Sequence, residues 1–119
     1  MQKGFNMNRT VLIKKIKEFI PVKENKIEET TVSIGDMTFL NLRDSLIGLG
    51  TILDEDFDVN SYVLTVPSGI ANKNSAIVAI QHENNQLLIL SYAKEGLISQ
   101  HTASKALGKV LQRLSCYLI

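Results

Sequence analysis

The sequence contains no tryptophan, one cysteine and two prolines, and aromatic residues make up only 6% of it. A lone cysteine, Cys116, forms no internal disulfide and supplies no thiolate pair for a metal, so an apolar core has to hold the fold and the natural setting is a reducing compartment, taken as cytoplasmic. Long apolar runs are missing too. The longest, Ala76 to Ile80 and Leu87 to Leu90, fall well short of the ~20 residues of a membrane helix, and no span is expected. Near the start, the apolar residues between Val11 and Ile20 are broken by Lys14, Lys15, Lys17 and Glu18, so no secretory segment is expected.

What is present is ordinary globular material: 119 residues, 45% hydrophobic and 21% charged, enough for one core without covalent staples. A single domain over residues 1–119 is expected, with 1–7 forming a disordered tail because nothing there can anchor it. The net charge of +1 conceals a polar distribution: residues 1–26 sum to +5, residues 27–60 to −7 and residues 61–119 to +3. Such segregation bears on partners and solubility, not on fold.

Periodicity gives the elements. Leu12, Ile16, Phe19 and Ile20 recur at helical spacing after the available cap Asn8, and Pro21 ends the run, which predicts a helix over about 9–20. From Thr30 the period changes to two. Thr30–Ile34, Gly35-Asp36 and Met37–Leu40 read as a β-hairpin, with glycine supplying a positive φ in the turn. A competing parse places Phe39, Leu42, Leu46, Leu49 and Leu53 on one helical stripe capped by Asp36. With the hairpin ranked first, a short helix over 43–53 and a solvated acidic connection over 54–60 follow. Strands are predicted at Ser61–Val66, Ser75–Gln81 and Gln86–Ala93, the last two joined by a four-residue loop, His82 to Asn85. A final helix over about 100–115, capped by Ser99, carries Ala103, Ala106, Leu107, Val110, Leu111 and Leu114 on one face. The expected class is α+β, an antiparallel sheet of about five strands in the order α-ββ-α-βββ-α. That order resembles the layout of roadblock-type dimerisation domains, a likeness of arrangement without diagnostic residues. Two strands are apolar at consecutive positions, so both of their faces need cover, by helices or by a second chain.

The inventory of reactive groups is short. His82 and His101 share no ligand spacing, and Cys116 lies beyond the last periodic residue. Asp54, Asp56, Asp58 and Asn60 imitate the start of a calcium loop, but Val59 stands where the sharp turn needs glycine and Thr65 where a bidentate acid is needed. Gly48-Leu49-Gly50 lacks the third glycine of a dinucleotide fingerprint. No catalytic, cofactor-binding or metal-ligating residue is therefore assigned. The leading expectation is a small non-enzymatic protein-interaction module that self-associates as a dimer. The alternative is a nucleic-acid-binding regulator using Lys105, Lys109 and Arg113, which form an i, i+4, i+8 basic stripe on the last helix.

Overall fold

The computed structural model describes residues 8–96 and 99–119; the expected tail over 1–7 lies outside them. The chain runs α1 (Arg9–Lys17), β1 (Glu28–Ser33), α2 (Phe39–Leu46), β2 (Thr51–Asp56), β3 (Ser61–Pro67), β4 (Ser75–Glu83), β5 (Gln86–Tyr92) and α3 (Thr102–Arg113). It is an α+β fold built on one five-stranded antiparallel sheet in the order β1-β5-β4-β3-β2. β1 and β2 are the two edges, so the segment containing α2 crosses the whole sheet between them.

One predicted strand has moved. Residues 37–40 do not pair with 30–34; β1 pairs with β5 instead, and the fifth strand is drawn from 51–56. The hairpin fails at its turn, because Gly48, not Gly35, is the glycine with positive φ among the described residues. A stronger local signal wins: Thr38 caps α2, its Oγ1 accepting from Asn41 N at 3.0 Å while Asn41 Oδ1 accepts from Thr38 N at 3.2 Å. The order is thus α-β-α-ββββ-α, which departs from the roadblock-type layout. The acidic residues Asp54, Glu55 and Asp56 are strand residues rather than a solvated loop.

The meander over β3, β4 and β5 lies where periodicity placed it, but its second connection is tighter than four residues. Asn84 and Asn85 both take positive φ, 48° and 61°, which suits a two-residue turn, and His82 and Glu83 belong to β4. Helix α1 stops at Lys17, short of Pro21. Helix α3 begins at Thr102, and Ser99 is not its cap; the Glu95 carboxylate accepts from Thr102 N at 2.8 Å and from Gln100 N at 3.3 Å.

Strand parity divides the core into two layers. On one face, Val63, Ile77, Ala79, Leu88, Leu90 and Tyr92 pack against Leu12, Ile13 and Ile16 of α1. On the other, Leu64, Val66, Val78, Ile80, Leu87 and Ile89 meet Leu42 and Leu46 of α2 and Ala106, Val110 and Leu114 of α3. The helices therefore cover both faces of the consecutively apolar strands, and the sheet needs no second chain for that purpose. Helix α1 is also pinned at its start: Asn8 N donates to the buried Gln81 Oε1 at 2.8 Å, and Gln81 Nε2 donates to the Val59 carbonyl at 3.0 Å.

Candidate functional site

The groups with the greatest intrinsic reactivity stand on separate elements. His82 is on β4, His101 immediately precedes α3 and the exposed Cys116 lies in a short turn after it. The His82 ring is a structural tie: Nε2 lies 2.8 Å from the Met37 carbonyl oxygen, which only accepts, so Nε2 carries the proton. His101 holds φ at 55°, an uncommon backbone state for a residue with a side chain. Among the described residues no group of three or more His, Cys, Asp or Glu side chains is gathered as metal ligands, and no helix is long and apolar enough to cross a membrane.

The basic stripe of α3 is largely engaged inside the molecule. Lys109 Nζ donates to the Pro67 carbonyl and, at 2.8 Å, to Asn72 Oδ1. Arg113 donates from Nε to the Ser45 carbonyl at 2.7 Å and from Nη2 to the Ile47 carbonyl at 3.0 Å, holding the exit of α2. Lys105 alone of the three points to solvent without a partner among the described residues.

The acids of β2 are also tied down. Lys15 Nζ bridges Asp56 at 2.7 Å and Asp54 at 3.4 Å on the α1 side, and Arg43 Nε reaches Glu55 at 2.8 Å on the α2 side. The hydrogen bond from Lys15 holds the Asp56 carboxyl below its ordinary range, outweighing partial desolvation. Partial burial pulls the Lys15 ammonium down, but the hydrogen bond to Asp56 and the two negative charges together leave it raised. Opposite charges on three elements thus convert a sequence poor in strand formers into an edge strand.

A different surface draws attention through what it leaves uncovered. Helix α2 buries Leu42 and Leu46, yet leaves Leu40 60% and the following Ile47 48% exposed. Seven residues separate them, so they project from the same side of the helix two turns apart. Phe57 is 63% exposed and packs at 5.3 Å in an edge arrangement with Phe39, the residue preceding Leu40, while Phe39 stacks on Tyr62 at 4.1 Å. The Tyr62 hydroxyl donates to the Phe39 carbonyl at 2.7 Å, and burial, reinforced by the nearby Glu55, pushes the phenol up to about 12. Arg43 and Asp44 lie between Leu40 and Ile47 on the helix. Arg43 uses Nε for Glu55, and the Asp44 carboxylate has no hydrogen-bond or ion-pair partner among the described residues.

None of this surface was singled out by sequence periodicity, which read Leu40 as a hairpin residue and Phe57 as part of a solvated loop. The available signal was the helical stripe Phe39, Leu42 and Leu46: once it is taken as buried, Leu40 and Ile47 fall outside it. A second feature is an open groove of about 610 Å³ between the segment after α1 and the segment joining β5 to α3. Compared with protein-family models, curated proteins and solved structures, the chain matches none.

Proposed function

We propose that this protein works by binding, as a self-associating protein-interaction module whose two copies meet through α2 across a two-fold axis. The observation that carries the reading is the self-complementary pattern on the outer side of α2. An antiparallel helix pair centred between residues 43 and 44 brings Leu40 against the partner's Ile47, and in the same register Arg43 against the partner's Asp44. One register therefore satisfies both the apolar and the charged positions, as an isologous contact requires. Arg43 keeps its two terminal nitrogens for this contact while Nε remains on Glu55. Phe57, seated on Phe39 beside the helix, extends the apolar border.

Two further features support binding over other roles. The edge strand β2 carries three acids and a register shift between Ile52 and Asp54, both of which discourage strand addition at that edge. Two of the three α3 cations that a nucleic acid would need are hydrogen-bonded to backbone carbonyls. The exposed, unpaired Cys116 supports a cytoplasmic setting.

Sedimentation equilibrium across the micromolar range tests the proposal. The wild-type chain is expected to show a concentration-dependent dimer, and Leu40→Glu a monomer with an unchanged circular-dichroism spectrum. A wild-type chain that stays monomeric throughout, or a Leu40→Glu variant that associates as well as the wild type, overturns it.

A further inference from the structure

Resting on the reading of α2 as the surface through which two copies meet, we propose that Arg113 of α3 is its positioning residue: the guanidinium fixes the exit of the helix and so sets where Ile47 stands. Helix α2 has eight residues, too few to persist without tertiary support. Its start, next to Leu40, is held by the Thr38–Asn41 capping pair and by the Tyr62 hydroxyl on the Phe39 carbonyl. Its exit is held from another helix. Ile47 leaves the helical region with ψ at 129°, and Gly48 turns the chain away with φ at 91°. The last carbonyls of a helix find no partner within it. Here the Ser45 carbonyl accepts from Arg113 Nε at 2.7 Å and the Ile47 carbonyl from Arg113 Nη2 at 3.0 Å, across 68 and 66 residues of chain.

The geometry calls for arginine. Its two donors sit on one rigid plane and grip carbonyls on either side of Leu46, which is itself fully buried, so the backbone is fixed where Ile47 begins to project, 48% exposed. A lysine ammonium would bring the same charge to the helix C-terminus without that fork. Once the clamp is lost, residues 45–48 are free to take other conformations, and only chains with Ile47 in register can pair. A two-fold contact draws that conformation from both copies, so a fall in its population to about one third weakens association by about tenfold.

Sedimentation equilibrium on the full chain, with Arg113→Met, Arg113→Lys and Lys109→Met beside the wild type, tests the assignment. Arg113→Met is expected to weaken dimerisation by about tenfold or more with an unchanged circular-dichroism spectrum, and Arg113→Lys, which keeps the charge and loses the fork, should also weaken it. Lys109→Met is the control for general loosening: it frees another α3 cation from a carbonyl, and should lower the urea midpoint while leaving the association constant at the wild-type value. A second readout needs no dimer. In the Leu40→Glu background, adding Arg113→Met should speed hydrogen exchange at the Ile47 and Leu49 amides, which donate to the Arg43 and Leu46 carbonyls, by about tenfold, while the β4 amides keep their protection. A dimeric wild type with an Arg113→Met or Arg113→Lys variant that associates equally well, an equal loss in Lys109→Met, or unchanged exchange at Ile47 would each overturn the proposal. A monomeric wild type would instead remove the α2 reading beneath it.

Discussion

The Tyr62 hydroxyl donates to the Phe39 carbonyl at 2.7 Å while the two rings stack 4.1 Å apart, so β3 fixes the first turn of α2 by both polar and apolar contact. Tyr62→Phe keeps the stack and loses the hydrogen bond, and should cost about 1 kcal/mol in urea melts. Tyr62→Ala loses both and should cost about 3–5 kcal/mol.

The same pair sets an alkaline limit. Folding raises the Tyr62 phenol from about 10 to about 12, so the native state holds this proton more tightly than the unfolded chain. The contribution is fully present below about pH 10 and is lost as pH climbs toward 12. Comparing urea midpoints of wild type and Tyr62→Phe at about pH 9 and about pH 11 isolates it: the advantage of the wild type should vanish or change sign at the higher pH.

Packing of α3 gives a ranked set of stabilities. Along the apolar face read from periodicity, Val110 and Leu114 are fully buried and Leu107 only partly so. Leu114→Ala should cost about 2–5 kcal/mol and Leu107→Ala distinctly less. Lys109→Ala should cost about 1 kcal/mol or more, because its ammonium serves the Pro67 carbonyl and Asn72. Equal urea midpoints for the two leucine variants would contradict this arrangement.

The class, the β3–β5 meander and the two terminal helices were legible because each rests on local periodicity that the packed structure preserves. The face of the sheet that α3 meets was not. Val63 and Ile77 lie under α1, while Leu64, Val78 and Ile89 lie under α3. In a strand apolar on both sides nothing in the sequence says which parity faces which helix, so composition fixes burial without fixing direction. β2 was hidden for another reason. Asp54, Glu55 and Asp56 disfavour a strand locally, and the partners that offset this, Lys15 and Arg43, are 39 and 12 residues away. The α2 surface was illegible as a consequence, since its outer side is defined only once the helix replaces the hairpin.

Lys15 offers a check on that long-range rescue. In Lys15→Met the Asp56 carboxyl loses its principal stabiliser and should titrate higher in carbon-detected NMR than in the wild type. A group held low in the native state contributes stability above its unfolded value, near 3.8, and loses it as pH falls through the native value. The acid limb of the stability curve should therefore be shallower in the variant. An unmoved Asp56 titration would show that the bridge does not form in solution.

Charge at the proposed α2 contact predicts a further, signed effect. Asp44→Arg places a cation against the partner's Arg43 and should weaken dimerisation, read as a lower association constant in sedimentation, while the monomer melts as before. Asp44→Asn, which removes the attraction without adding repulsion, should fall between this variant and the wild type. Identical association for all three would separate the charged positions from the contact.

Isotope-filtered NOE spectroscopy on a mixture of labelled and unlabelled chains reads the α2 contact itself. Within one chain Leu40 and Ile47 are about 10 Å apart along the helix, too far for a strong methyl–methyl NOE. An intermolecular NOE is expected between the Leu40 methyls of one copy and the Ile47 methyls of the other. A dimer whose intermolecular NOEs arise from β1 or β2 and leave α2 silent would contradict it.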